Sequence, residues 1–597
     1  MKIKSKLIVL LIVLGLLSTM ILGCQSKPVN TPKVEEGGAG SQFNPGTYEG
    51  EAKGHNDIVK VSVTVDENNI KEVKIVENKE SEGIADGALE LIPTRIVEGQ
   101  TLAVDRISGA TVTSMAILSA TEQALKQAGA DITALQENAK EVVAKDPVTF
   151  DTEVVVVGGG SAGLAAALEA ANNGAKVILV EKLAITGGST ARSGGKVQAA
   201  GTDIQESHGV EDNADLYYDH LMKVGEGKVD STKIRIIADN SLADFNWLVE
   251  NGVEFSKNIE QLHEKYRPIR GHYVSVQDGK EEQDGHGWAI TQPLEKKARE
   301  AGVEILLETP ATKLIKDENG AIAGIECEDS YGNKTIINSK SVILATGGYD
   351  FNKELLKEYA PLVEPIFSTV AVGNVGDGFI MAKDAGAKIQ AGGGAILLYL
   401  DIMAGVGEPA GLYVDTKGSR FMDESDFWFT RSKRLIERNE KGMFYITDAN
   451  GKLDSFDGLV EGGKVIKGDT IEELSAKLGM SELNSTVERY NSLCVAGKDE
   501  DFNKSQELMK SVEKGPFYAI PYSSISSGTF GGPITNEKGQ VMAEDGGIIK
   551  GLYAAGEVAN GDLFYQEYAG SGSSISTCIA FGRISGRTAA EEAISER

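Results

Sequence analysis

The sequence predicts a multidomain protein of α/β and α+β architecture, and three patterns carry that expectation. Apolar and polar residues alternate over 47–77, writing short half-buried strands, and helical spacing follows from Met115. The run E-V-V-V-V-G-G-G-S-A-G-L from Glu153 places a glycine-rich turn between an apolar strand and an Ala-rich helix. Apolar strands recur at 341–349 and 551–558, with roughly 385–515 standing between them as an insertion.

A chain of 597 residues exceeds what one core organises. Its 70 glycines are many for a globular chain, and turns that approach nucleotide phosphates are one use for them. The net charge of −28 argues against a nucleic-acid partner, which needs basic surface to replace counterions. Cys24, Cys327, Cys494 and Cys578 lie far apart without C-x-x-C, so no metal or disulfide pattern is expected.

Lys2, Lys4 and Lys6 precede an apolar run over 7–23, the n-region and h-region of an export signal. The run ends I-L-G-C and resembles a bacterial lipobox, which implies lipidation at Cys24. The alternative is an uncleaved anchor, although 17 apolar residues barely span a bilayer. Either way the body of the protein is expected outside the cytoplasm on a membrane, where two acyl chains suffice as an anchor. Residues 1–24 are then a lipoprotein signal peptide, and the Pro/Gly/Ser-rich stretch 25–46 is a flexible tether.

Segment 47–130 forms a small α+β domain from T-Y-E-G-E-A-K-G, V-K-V-S-V-T-V, I-K-E-V-K-I-V-E and the helix from Met115, which closes at Gly129. A charged linker, 131–150, leads to a β-α-β unit: strand 153–158, helix 161–173 and strand 176–180, ending at Glu181. Gly158, Gly160 and Gly163 have the G-x-G-x-x-G spacing. The first makes the turn, the second lets backbone approach a pyrophosphate, and the third packs helix on strand. Glu181, at the end of the second strand, is where an acid holds a ribose hydroxyl.

G-G-S-T-A-R-S-G-G (187–195), A-T-G-G (345–348), V-G-D-G (375–378) and A-G-E-V (555–558) resemble, in order, motifs of the fumarate reductase/succinate dehydrogenase flavoprotein family over roughly 150–597. The resemblance implies FAD and a Rossmann-like FAD domain (151–384 and 516–597) interrupted by an α+β capping domain (385–515). It adds Ser161, Ala162 and Lys182 to the glycines and Glu181 as FAD contacts. From the later motifs it adds Gly187, Gly188, Ser189, Thr190, Gly194 and Gly195, then Ala345, Thr346, Gly347, Gly348 and Asp377. Gly556, Glu557, Ser573, Ser574 and Ile575 complete the set. Members with covalent FAD use a histidine near 186–192; this chain has none there, so its FAD is expected to be non-covalent.

D-R-I-S-G-A-T-V-T-S (105–114) resembles the sequence at which a flavin transferase esterifies FMN to threonine. Asp105, Ser108, Gly109 and Ala110 match, and Thr111 becomes the covalent attachment point. The alternative is a Ser/Thr cap on the following helix, and the two are compatible because a helix N-terminus also favours phosphate.

In the soluble fumarate reductases, FAD gives hydride to one alkene carbon and an arginine of the inserted domain protonates the other. G-S-R-F-M-D-E-S-D-F-W-F-T-R (418–431) offers Arg431 as its counterpart, with spacing about three residues longer; the alternative is that Arg431 pairs with Asp423, Glu424 or Asp426. The relay that reprotonates such an arginine is not evident, Glu408 being a loose candidate. The carboxylate grips are replaced as well: G-T-F-G-G, with Gly528, stands for H-T-x-G-G, and Y-A-G-S-G-S-S for N-R-x-G-G-N. Fumarate is therefore not the expected substrate.

Y-A-G-S-G-S-S-I-S-T-C-I-A-F-G (568–582) instead resembles the segment by which 3-ketosteroid dehydrogenases bind a ketone oxygen, with Tyr568 and the Gly572 amide as the donors. Such a pair would stabilise an enolate as an oxyanion hole does; the alternative is an ordinary core tyrosine. Tyr399, Phe427, Trp428, Phe429, Phe530, Phe564 and Tyr565 are either core or the wall of an apolar pocket. The expected function is a membrane-anchored reductase that passes electrons from a membrane redox chain or extracytoplasmic redox protein through FMN and FAD to a bulky neutral enone. A flavin transferase would mature it. The alternatives are an unsaturated monocarboxylate (urocanate-, cinnamate- or acrylate-like) or fumarate as substrate, and a non-enzymatic electron-transfer module.

Overall fold

A computed structural model describes residues 42–595 apart from 81–84, 108–109, 138–145, 260–267, 279–280, 330–331, 365, 400–410, 427, 439–441 and 454–455. The signal segment with Cys24, most of the tether, Ser108, Gly109, Glu408 and Phe427 lie outside the described residues, as do the side chains of Tyr399, Trp428 and Phe429.

In the small domain the strands Gly46–Lys53, Ile58–Val65 and Ile70–Glu77 form an antiparallel meander in that order. Alternation puts Val59, Val61 and Val63 of the middle strand wholly inside. They pack against Ile92, Ile96, Ile117 and Ala120 of two helices, Asp86–Gly99 and Thr111–Gln127. The first helix carries Pro93 in its interior, the residue that argues against a helix in sequence. The second begins at Thr111, four residues before the expected start at Met115. Phe43 and Leu135 join this core, so its packing reaches past 47–130 on both sides.

The larger domain is built on a six-stranded sheet in the order Glu304–Leu306, Val177–Val180, Val154–Val157, Ser341–Leu344, Ile548–Ala554, Gln540–Met542. All neighbours are parallel except the last pair. Strands V-V-V-V and V-I-L-V are buried on both faces, as a parallel sheet covered by helices requires. The helix Ser161–Asn172 meets the final helix Ser573–Ser595 at close range: a Cβ on Gly586 would lie 2.2 Å from the Ala166 oxygen.

The inserted region centres on a second sheet, Gly411–Val414, Phe444–Thr447, Phe517–Pro521 and Ile466–Gly468. Phe517–Pro521 belongs to it although it follows residue 515. The antiparallel pair Ile389–Tyr399 and Ser524–Pro533 ties this region to the main domain. A buried cluster fixes its interior: Arg420 pairs with Glu424 (2.8 Å) and Asp499 (2.9 Å), and Lys504 with Glu424 (3.1 Å). The small domain sits on the main one where Gly87 faces Ile185 and Arg95 pairs with Glu308. Among the described residues, no helix is long and apolar enough to cross a membrane.

Candidate active site

A cleft opens at the carboxyl ends of the parallel strands, with roughly 740 Å³ of space once its solvent-open mouth is included. Its glycines divide their work as the spacing predicts. Gly158 has φ +109°, and a Cβ there would lie 2.3 Å from the Ala345 oxygen. A Cβ on Gly163 would lie 1.8 Å from the Gly158 oxygen, so helix and strand touch backbone to backbone. At Gly160 a Cβ would meet nothing within 4 Å, because the space belongs to the cleft. This is the form of a pyrophosphate cradle at a helix N-terminus.

Glu181 lines the same cleft, its carboxylate accepting the amides of Gly159 (2.7 Å) and Leu183 (2.8 Å), while burial pushes its pKa up. Ser161 and Thr190 share a hydroxyl hydrogen bond of 2.8 Å, Ser189 accepts the Ala371 amide, and Lys182 pairs with Asp377 at 2.5 Å. Thr346 lines the cleft, and its Oγ1 is buried on the side of Gly378, where a Cβ would lie 2.3 Å from it. Ala162, Gly188, Ala345, Gly347 and Glu557 complete the expected lining. Together these residues fit the adenine-dinucleotide part of FAD.

Other expected contacts do not line this cleft. Gly187 (φ +110°), Gly195 (φ +67°) and Gly556 (φ +82°) shape turns, Gly194 faces open space, and Gly348 leaves room for Glu557 and Thr529. Ser573, Ser574 and Ile575 form the first turn of the last helix. Sequence reading missed Thr309, Ala311, Ala371, Gly373, Asn374 and Cys578, which do line the cleft.

Glu557 accepts from the Thr529 amide (2.9 Å) and Asn374 (3.1 Å). Burial and the nearby Asp350 carboxylate push its pKa up to about 8. Asp350 is itself buried and accepts from Ser368 (3.0 Å) and Ser526 (2.9 Å), and burial raises its pKa.

The structure brings Tyr568 and Gly572 together. Tyr568 is buried, and its oxygen accepts the Ser574 amide at 3.2 Å. Burial raises its pKa, while the Ser573 side chain and the amides of Ser574 and Gly572 act in the opposite direction. The phenol therefore keeps its proton. Tyr568 packs on Phe564, which stacks on Phe530 with ring centroids 5.1 Å apart. Phe530 and Phe564 are core residues, and half-buried Tyr565 packs against the same core while its hydroxyl accepts from exposed Lys228 (2.9 Å).

Gly528, which stands at the histidine position of the resemblance, has φ +144°, a backbone conformation that side chains rarely adopt, and a Cβ there would lie 3.0 Å from a Glu557 carboxylate oxygen and 3.2 Å from Ile396 Cδ1. Arg431 is buried in the inserted region on the helix Trp428–Arg438. It donates to the Glu424 main-chain oxygen (2.9 Å) and contacts the Tyr413 hydroxyl (3.4 Å), which donates to Tyr522 at 2.7 Å.

In the small domain Thr111 is exposed and is the first residue of its helix, preceded by Ala110, with no side-chain cap. Ser114 accepts the Ile107 amide (3.1 Å) and donates to the Ala110 oxygen (2.9 Å), tying both residues to the first turn of the helix.

Cleft, glycine cradle and appended domain define a flavoprotein with two cofactor-binding units. Residues 153–575 match the FAD binding domain family and residues 54–126 the FMN-binding domain family, and the chain belongs to the former, among proteins of the fumarate reductase type. A urocanate reductase of Eggerthella lenta is 32% identical over 96% of this chain and 96% of its own length. An NADH:acrylate oxidoreductase of Vibrio harveyi is 30% identical over 92% of this chain, which spans 62% of that longer relative. Among solved structures, a flavocytochrome c3 fumarate reductase in an open conformation has TM-score 0.63 at 30% identity, covering 75% of this chain and 79% of its own. A 3-ketosteroid-Δ4-(5α)-dehydrogenase of Rhodococcus jostii has TM-score 0.61 at 26% identity, covering 76% and 99%.

Proposed function

We propose that this chain is an extracytoplasmic, lipid-anchored reductase that delivers electrons from a membrane redox chain to a C=C bond conjugated to a carbonyl, with a bulky neutral enone as preferred substrate. The observation that carries this reading is the buried Tyr568 hydroxyl beside the Gly572 amide, in a sequence where the carboxylate grips of the resemblance are replaced and Gly528 stands at the histidine position. When bound, the flavins supply the redox chemistry, FMN on Thr111 receiving electrons and FAD delivering hydride to the β-carbon. Charge then develops on the carbonyl oxygen, and Tyr568 and Gly572 stabilise it as fixed donors in a buried site. Arg431 is the proton donor of this reading. Its ordinary pKa, above ~12, requires a relay, and the Tyr413–Tyr522 hydroxyl pair supplies a route.

Three features support FMN attachment: the exposed Thr111, the uncapped helix N-terminus, and the half-exposed Val112 and Met115, which a flavin ring can cover. Anchoring rests on the lipobox at Cys24 alone.

The second reading, an unsaturated monocarboxylate, draws on the urocanate and acrylate relatives and on buried Arg270. That arginine lies 4.9 Å from the Tyr217 ring and is paired with Asp212 at 2.6 Å, which offsets its charge.

Viologen-reduced protein carrying both flavins, offered steroid enones, cinnamates, urocanate, acrylate and fumarate, tests the choice. Flavin reoxidation fastest with enones is expected, and fast turnover of fumarate or urocanate would overturn the neutral pocket. Reoxidation by a redox protein but by no alkene would favour the electron-transfer module. Intact mass after co-expression with a flavin transferase should show one FMN, absent in Thr111→Ala.

A further inference from the structure

We infer that Gln198 is a positioning residue for the carbonyl-binding corner, acting through the Ser571–Gly572 peptide. The inference rests on the reading of Tyr568 and Gly572 as carbonyl donors. Gln198 ends the short strand Lys196–Gln198, which follows the flavin-loop glycines Gly194 and Gly195 and pairs with Gly271–Asp278. It is buried, and its Nε2 donates to two main-chain oxygens of one loop, Ala569 (3.1 Å) and Ser571 (3.2 Å). Two carbonyl acceptors require the NH₂ group, which settles the amide orientation. The Oε1 atom is left buried with no partner among the described residues. An amide kept only to fill space would be better replaced by an apolar side chain, so its donor side has a task.

That task follows from peptide geometry. The Ser571–Gly572 bond is trans, so the Ser571 oxygen and the Gly572 N–H point in opposite directions. Holding the oxygen on Gln198 turns the Gly572 amide away from the strand and towards the Tyr568 oxygen, on which it acts, so that the two groups are held at one corner. A hydrogen bond on the oxygen also polarises the N–H of the same peptide, making it a stronger donor.

The backbone around this peptide is equally fixed. Gly572 has φ +90°, and a Cβ there would lie 2.8 Å from the Lys196 carbonyl. Ser576 Oγ accepts the Gln198 amide (2.8 Å) and lies 2.9 Å and 3.0 Å from the Gln198 and Gly572 oxygens. His220 contacts the Ala569 oxygen at 3.2 Å as a further support. The strand that leaves the flavin loop is thus the rail on which the Tyr568–Gly572 pair is mounted.

The test uses holoprotein with both flavins, as Gln198→Leu and the near-isosteric Gln198→Glu, which turns the donor into an acceptor facing two carbonyls. Both are expected to retain FAD and wild-type transfer of electrons from FMN to FAD. With the enone that wild type reduces fastest in the panel above, kcat should fall about tenfold or more, with little change in KM. Independently of turnover, 4-nitrophenol serves as an enolate mimic. Its apparent pKa when bound, read from phenolate absorbance, should be higher in both variants than in wild type.

Wild-type kcat and an unmoved 4-nitrophenol pKa in the variants would overturn the inference. Loss of FAD in both would overturn it as well, showing a merely structural role. Tyr568→Phe separates the two levels. If it leaves turnover intact, the carbonyl-donor reading itself fails; if it slows turnover while Gln198→Leu does not, only the role of Gln198 fails.

Discussion

The three glycines of the cradle look alike in sequence and differ sharply in what surrounds them. Gly160 has φ −74°, which any residue adopts, and open space where a side chain would begin. Gly160→Ala should therefore leave the thermal stability of FAD-free protein unchanged while weakening FAD binding. Gly163→Ala would force a Cβ into the Gly158 oxygen and should cost about 1–3 kcal/mol of stability before any cofactor is added. Differential scanning fluorimetry of the FAD-free variants, followed by FAD titration, checks both; equal destabilisation would remove the distinction. These roles were legible because the motif is local. Thr309, Ala311 and Asn374 were not: each reaches the cleft from a separate segment through sheet order, and nothing in its own neighbourhood announces a ligand. Tyr565 likewise has a partner that its own neighbourhood does not announce, Lys228, far off in sequence.

At the scale of elements, the carboxylates Asp350 and Glu557 meet where the turn after Ser341–Leu344, the strand Ser524–Pro533 and the turn Gly556–Ala559 converge. Glu557 has a folded pKa of about 8, above its unfolded value of 4.5, so the folded state holds the extra proton between those limits. Its contribution to stability is full below about pH 4.5 and is lost as pH rises through about 8. Melting temperatures across that window should fall more steeply for wild type than for Glu557→Gln, and parallel curves would contradict the assignment. Sequence reading placed Glu557 at the cofactor through A-G-E-V but had no means of finding Asp350, which follows A-T-G-G-Y without a motif of its own. Element boundaries show the same limit. Strand alternation in the small domain was plain, whereas the helix Asp86–Gly99 was hidden by Pro93. The helix with Thr111 begins a turn before Met115 because T-V-T-S, short of apolar residues at helical spacing, carries no periodic signal although the structure winds it as helix.

At the scale of the molecule, the question is how the two cofactor-binding units are held for electron transfer. The small domain docks through Gly87 against Ile185 and Ala184, and the segment 186–190 that follows those residues runs into the cleft wall at Gly188, Ser189 and Thr190. The contact thus lies a few residues from the cleft wall. Docking is tight there, since a Cβ on Gly87 would lie 2.7 Å from Ile185 Cγ2. The Arg95–Glu308 pair beside it is partly exposed and contributes little to stability, so its part is orientation. Gly87→Val should therefore push the domains apart. Stopped-flow reduction of this variant is expected to show normal reduction of FMN and slowed reduction of FAD, with both flavins retained. Arg95→Ala should have a smaller effect in the same direction. Transfer at the wild-type rate in Gly87→Val would mean that electrons cross by another face of the small domain, and the docking seen at Ile185 would then serve only to tether it.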